Sequence, residues 1–156
     1  IWPDIVIIGK ALSGGMYPLS SILAYNEVMG VFKPGEHGST YGGNPLGAAV
    51  AREALKILVE EKMVERSAEL GQYFMDKIRA IQSDHVKLVR GKGLWIGIVL
   101  KDSAGGARRF CEALQEDGML CKETHENVIR VAPPLSVTRE DVDWAVERLS
   151  KVLTTL

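Results

Sequence analysis

Apolar and polar positions along this chain follow two grammars. Ile5-Val6-Ile7-Ile8 is a short, β-branched, continuously apolar run closed by Gly9-Lys10, the pattern of a strand covered on both faces, and it predicts parallel-sheet material. After Ser13-Gly14-Gly15 and Tyr17-Pro18, a second strand is predicted over Leu19 to Tyr25, with Asn26 capping a brief helix through Phe32. Lys33 to Asn44 is polar and glycine-rich, a long loop of the kind more often functional than idle. Asn44 then Pro45 is a helix-start signature, because Asn caps free N–H groups and proline's missing N–H costs nothing at the first helical position.

That helix is expected to run to about Lys62. Leu46, Val50, Ala54, Ile57 and Leu58 form its apolar face, and Gly47, Ala48, Ala49 and Ala51 permit close packing on a sheet. Met63, Leu70, Phe74, Ile78 and Ile81 recur at helical spacing to about Gln82, and the two helices are expected to bridge two domains. From His85 the pattern changes to short strands at Val86 to Val89 and Leu94 to Leu100, with Gly91-Lys92-Gly93 read as their tight turn. A helix from about Gly106 to Asp117 stops at Gly118, the expected left-handed terminator. Strands at Met119 to Cys121 and Val128 to Val131 precede Pro133-Pro134. Thr138 with Asp141 reads as a capping box, and Val142, Val146, Leu149 and Leu153 stripe the last helix. The order β-β-α-β-β-α implies a small α+β unit after the first domain.

Composition narrows the function classes. Lys+Arg (19) nearly balance Asp+Glu (20), so bulk charge steers the chain to neither nucleic acid nor an anionic membrane. No apolar run approaches the roughly 18 residues of a spanning helix. Cys111 and Cys121 fit neither a disulfide framework nor a CxxC metal pattern, and a cytoplasmic setting is the expectation. Residue 1 is Ile, no signal-peptide pattern follows, and a strand begins almost at once, so the chain reads as a fragment of a longer protein.

Three places could carry chemistry. Lys10 ends an apolar strand and enters a small-residue loop, and in open α/β sheets ligands gather beyond the carboxyl ends of strands. A lysine amine there can attack a carbonyl to form a Schiff base, although a lysine after a strand is more often simply solvated. His37-Gly38-Ser39-Thr40-Tyr41-Gly42-Gly43-Asn44 sets two hydroxyls among glycines ahead of a helix, which suits either an anion cradle or a flexible connector. Neither GxxxxGK[ST] nor GxGxxG occurs, so nucleotide-type phosphate loops are not supported. Arg130 sits inside the strand Val128 to Val131, where its planar fork calls for a carboxylate, supplied either by a ligand or by an internal ion pair. His37, His85 and His125 lack metal-ligand spacing.

An amine, an anion cradle and a carboxylate clamp together fit a phosphate-bearing aldehyde cofactor acting on an amino acid, which points to pyridoxal 5'-phosphate. Gly9-Lys10-Ala11-Leu12-Ser13-Gly14-Gly15 with Tyr17-Pro18, then Gly35 to Gly47 with its Ser39-Thr40 and Gly43-Asn44-Pro45, and later Ile129-Arg130-Val131-Ala132-Pro133-Pro134, closely resemble the class III aminotransferases across the whole chain. Leu12 to Gly15 and Glu36-His37-Gly38-Ser39 are more similar to the ornithine branch than to the acetylornithine or 4-aminobutyrate branches.

The resemblance implies an α/β, fold type I pyridoxal-phosphate-dependent transferase. Residues 1–62 would be the end of the large mixed-sheet cofactor domain, and residues 63–156 a linking helix and small carboxyl-terminal α+β domain. It implies that Lys10 binds the cofactor and is the catalytic amine, that Ser39 and Thr40 bind the cofactor phosphate across a homodimer or higher homo-oligomer interface, and that Arg130 holds the α-carboxylate of glutamate or 2-oxoglutarate. No metal is expected. The implied reaction moves the δ-amino group of ornithine to 2-oxoglutarate, giving glutamate semialdehyde and glutamate. The upstream half, with its glycine loop, stacking aromatic and acidic ring-nitrogen partner, would be missing, leaving a fragment inactive by itself. The rival reading is a truncated, non-catalytic dimerisation module.

Overall fold

A computed structural model describes residues 1–156, which divide into two compact units, Ile1–Lys62 and Met63–Leu156. In the first, β1 (Ile5–Ile8) pairs with β2 (Ser21–Ala24), from Ile5 opposite Ala24 to Ile8 opposite Ser21. The pairing is antiparallel, which corrects the parallel-sheet expectation for this run. A continuous apolar run reports intended burial on both faces, not strand direction, and the connection through Ser20 turns the chain straight back. Within this unit the burial itself is absent: Ile7 is 74% exposed and Ile22 54%.

The short helix α1 (Asn26–Met29) starts one residue earlier than expected, with Tyr25 rather than Asn26 at its cap position. Helix α2 (Pro45–Glu60) begins as read from the sequence. The Asn44 side chain accepts a hydrogen bond from the Gly47 N–H at 2.7 Å, and Pro45 opens the first turn. The expected apolar face needs revising, because Gly47 and Ala51, one turn apart, are the buried positions while Leu46 and Ile57 face outward. Small residues win here because α2 lies close on the turn that follows β1: a Cβ at Gly47 would sit 3.2 Å from the Tyr17 ring, and one at Gly14 would sit 3.6 Å from Ala54 Cβ.

The second unit is an antiparallel four-stranded sheet in the order β3-β4-β6-β5, comprising Val86–Lys92, Trp95–Leu100, Val128–Val131 and Lys122–Thr124. Helices α3 (Met63–Arg79), α4 (Arg108–Glu116) and α5 (Arg139–Thr155) supply the rest of its core. Ile96, Ile98, Leu100, Ile129 and Val131 alternate inward against Phe74, Ile78, Phe110, Leu114, Leu149 and Leu153, so period-2 and period-3.6 stripes meet in one cluster. Gly118 has φ +88° and ends α4 as expected. Thr138 and Asp141 exchange the two bonds of a capping box.

Two local readings change. The hairpin turn is Gly93-Leu94, since Lys92 pairs with Trp95 and Gly91-Lys92 belong to β3. The strand placed at Met119 to Cys121 lies instead at Lys122–Thr124, because Met119 is spent closing α4, its N–H donating to Leu114 C=O at 2.8 Å. Helix α3 presses on the β3–β4 turn so closely that a Cβ at Gly71 would lie 2.1 Å from the Gly93 carbonyl group. The Ser67 hydroxyl accepts from the Leu94 N–H there.

Candidate active site

Lys10 follows β1 directly. Its φ of +55° is the left-handed conformation, which a non-glycine residue adopts at a cost of about 1–2 kcal/mol and which surrounding structure must impose. It opens a 3-10 turn, Lys10–Ser13, closed by the Leu12 N–H on Gly9 C=O and the Gly14 N–H on Ala11 C=O. Ser13, the buried polar residue of the chain, locks the far end: its hydroxyl donates to Tyr17 C=O and accepts from the Tyr17 N–H at 3.1 Å. With α2 behind this turn, the amine is carried on a braced element, exposed, and without an ion-pair or hydrogen-bond partner. Sequence reading singled out Lys10 but not the Ser13–Tyr17 clasp, whose signal was a serine four residues before Tyr17-Pro18.

Ser39 and Thr40 lie in the exposed loop before α2. Ser39 Oγ accepts from the Gly42 N–H at 3.0 Å, so its own O–H is free to donate, and the Thr40 hydroxyl has no partner within the chain. Asn44 fastens the end of the loop, donating from its amide to Tyr41 C=O at 3.1 Å while capping α2. No hydrogen bond joins Lys10 to either hydroxyl. The three share a unit, and each is presented outward.

Arg130 belongs to the second unit and is half-buried on the sheet face opposite the core. The internal ion pair weighed for it is absent, since no carboxylate lies within 4.0 Å of its guanidinium. It opens onto a cleft of about 450 Å³ whose other walls include Arg90, Lys92, Trp95, Thr124 and His125. Sequence reading missed those neighbours. The signal was available in the alternation of Leu88, Arg90 and Lys92, but cross-strand register decides which face they share.

The histidines gather no metal-ligand group. His37 stacks obliquely on Phe32, His85 meets the Phe110 ring edge-on, and His125 occupies the β5–β6 turn. Cys111 and Cys121 are both free and lie thiol to thiol. The hydrogen bond with Cys121 holds the Cys111 thiol below its ordinary range, and the same bond pushes Cys121 up. No helix is long and apolar enough to cross a membrane.

An unpaired amine on a stiff turn and two hydroxyls with protons to donate are a donor set suited to an aldehyde bearing a phosphate. Comparison with known proteins agrees. The family model for aminotransferase class III matches residues 1–153. Ornithine aminotransferases of Geobacillus sp. (strain WCH70) and Bacillus subtilis (strain 168) are 55% and 53% identical, over 96% and 98% of this chain. The chain spans about 37% of the length of those relatives. Among solved structures, ornithine delta-aminotransferase of Plasmodium falciparum superposes with a TM-score of 0.90 at 44% identity, covering 98% of this chain and 40% of that one. Acetylornithine aminotransferase of Elizabethkingia anophelis gives 0.90 at 47%, covering 98% and 39%. The mixed α/β elements are those of the fold type I, pyridoxal-phosphate-dependent enzymes. From the Lys10 turn to the last helix, the chain belongs to the class III aminotransferase family.

Proposed function

We propose that this chain is the carboxyl-terminal portion of an ornithine aminotransferase that moves the δ-amino group of ornithine to 2-oxoglutarate, yielding glutamate semialdehyde and glutamate. The observation that carries the reading is Lys10, held at φ +55° on a turn clasped by Ser13 and Tyr17, with no internal partner for its amine. The 52–55% identity to ornithine aminotransferases supports the substrate. Residues 1–62 are read as part of the cofactor domain and residues 63–156 as the linking helix and small domain. A cytoplasmic homodimer completed by the upstream half belongs to the same reading.

When bound, pyridoxal phosphate supplies an aldehyde for an amine and a ring that draws electrons from the substrate carbon. Lys10 then has two tasks. Its Nζ would anchor the cofactor, and the same amine would carry the proton from the ornithine δ-carbon, the general-base role whose efficiency depends on reach. Ser39 and Thr40 hold the phosphate through hydroxyl donors, which fixes where the reacting carbon sits relative to Nζ. Arg130 holds the α-carboxylate of glutamate or 2-oxoglutarate bidentately, a geometry available because no internal acid occupies its fork.

The test uses the complete enzyme. Pyridoxal phosphate should give a visible absorbance that borohydride abolishes while fixing the cofactor covalently onto Lys10, and an adduct persisting at this site in Lys10→Ala would overturn the assignment. A second reading, acetylornithine aminotransferase, is favoured by the 47% identity to the Elizabethkingia anophelis enzyme. Initial rates with ornithine against N-acetylornithine separate the two, and preference for the acetylated donor would move the enzyme to that branch. The rival module without activity draws on the exposed apolar strands, and it predicts self-association with no cofactor uptake.

A further inference from the structure

Helix α4 and the chain that returns from it to the sheet are joined rung by rung. At one end Arg108 Nη1 meets Glu123 Oε1 on β5 at 3.3 Å, and at the other the Met119 N–H donates to Leu114 C=O at 2.8 Å. Cys111 and Cys121 make the rung between them. Arg108, Cys111 and Leu114 recur every three residues along one face of the helix, while Cys121 and Glu123 are alternate positions of the returning chain and share a side. The two thiols are thereby set against each other, both free and joined by a hydrogen bond, with Cys111 6% exposed and Cys121 half-buried.

Two features separate this pair from inert packing. The shared hydrogen bond leaves the proton on Cys121 and holds Cys111 below the ordinary thiol range, which favours the thiolate that a nucleophilic sulfur must be. The backbone, moreover, is firm on one side and adjustable on the other. Cys111 lies within α4, whose end is tied to α5 through Asp117: its carboxylate meets Lys151 Nζ at 2.7 Å, and its carbonyl accepts from Arg148 Nε at 3.1 Å. Gly118 to Cys121 belong to neither α4 nor β5, so this connection can carry the Cys121 sulfur to bonding distance without breaking a ladder bond.

We propose that Cys111 and Cys121 form an oxidation site that consumes hydrogen peroxide and closes to a reversible disulfide, with Cys121 as the resolving thiol. The site uses none of Lys10, Ser39, Thr40 or Arg130 and does not depend on the reaction assigned above. The Cys111 thiolate attacks one peroxide oxygen. An S–O bond forms as the O–O bond breaks, the sulfur gives up two electrons, and the departing hydroxide takes the Cys121 proton to become water. The Cys121 thiolate then attacks the Cys111 sulfenic sulfur, forming the S–S bond and expelling hydroxide, which takes from solvent the proton that Cys111 had released. Two thiols and one peroxide thus give one disulfide and two waters. Other thiols return the pair to its reduced state by exchange. Without Cys121, a second peroxide would carry the sulfenic acid to the irreversible sulfinic acid.

The experiment exposes the complete enzyme to hydrogen peroxide, blocks remaining thiols with iodoacetamide and maps the tryptic peptides by mass. Cleavage after Arg109 and Lys122 releases Phe110 to Lys122, which carries both cysteines and no internal lysine or arginine. That peptide should be recovered unalkylated and about 2 Da lighter than its dithiol form, with both alkylation sites returning after dithiothreitol. Cys121→Ser should instead take Cys111 to the sulfinic acid, about 32 Da heavier and untouched by dithiothreitol. A parent peptide alkylated at both cysteines, one carrying a sulfinic acid, or one cross-linked to a cysteine elsewhere in the enzyme overturns the inference. A parental disulfide with Cys111 unoxidised in Cys121→Ser overturns Cys111 as the attacking sulfur. The parental measurement requires no variant to fold, and it is read from the peptide whether or not the enzyme transaminates.

Discussion

The two units differ in what covers their apolar side chains. Every member of the large buried cluster comes from Met63–Leu156, whereas Ala51 is the single buried apolar side chain of Ile1–Lys62. The first unit instead exposes Ile5, Ile7, Ile22 and Leu23 on β1 and β2, and its best-packed element is the polar clasp beneath Lys10. A contiguous exposed apolar surface marks a face that meets further protein. In the proposed reading the difference divides labour. The reactive amine sits on a piece that is complete only within the larger enzyme, while the carboxylate-binding arginine sits on a domain that supplies its own core.

Cutting the chain between Lys62 and Met63 tests that division most severely. Residues 63–156 alone should unfold cooperatively in urea with a stability of roughly 5–10 kcal/mol, and residues 1–62 alone should show no transition. A cooperative transition in the first piece, or none in the second, would break the contrast. The next largest effect is chemical. Lys10→Ala in the complete enzyme should reduce transamination at least about 1000-fold, since both the anchor and the proton carrier are lost. Thermal unfolding of the small domain should not move.

A backbone test of the second unit comes third. Gly71→Ala puts a methyl group 2.1 Å from the Gly93 carbonyl, where neither helix α3 nor the turn can yield by a rotamer change. The expected loss is about 2–3 kcal/mol by urea denaturation. Gly97→Ala is tight only against the Val128 side chain at 3.3 Å, with Arg90 at an ordinary 3.9 Å, and should cost about 1 kcal/mol or less. Equal costs would mean that α3 can draw back from the hairpin at little cost.

Elements of the second unit were largely legible in the sequence because each carries a local signal whose burial the unit itself provides. Val128 to Val131 alternates into the core, Gly118 terminates α4, and Thr138 with Asp141 announces α5. Strand direction in the first unit was not legible, since Ile5 to Ile8 would read the same in either pairing. Of the candidate site, Lys10, Ser39 and Arg130 stood out by residue type and flanking glycines. Arg90 did not, because its place beside Arg130 is created by two successive strand registers through Gly97, which no local window contains.

The capping box of α5 gives the smallest effect and refines the picture of a self-sufficient second unit. The Asp141 carboxylate accepts from the Thr138 N–H at 2.9 Å and from its hydroxyl at 2.8 Å, while the Thr138 oxygen accepts from the Asp141 N–H at 3.1 Å. The backbone bond and then the hydroxyl bond hold the Asp141 carboxyl below its ordinary range. A carboxylate whose folded value is depressed adds stability that is fully present above its unfolded value and is lost as pH falls through the folded one, so this contribution fades below about pH 4. Thr138→Ala should cost about 1 kcal/mol at neutral pH, read as a shifted urea midpoint with unchanged slope. Asp141→Asn should flatten the acid limb of the stability curve of residues 63–156. If that limb keeps its parental steepness, the acid sensitivity belongs to another carboxylate, with Asp117 the first to test because its hydrogen bond to Lys151 at 2.7 Å depresses it in the same sense.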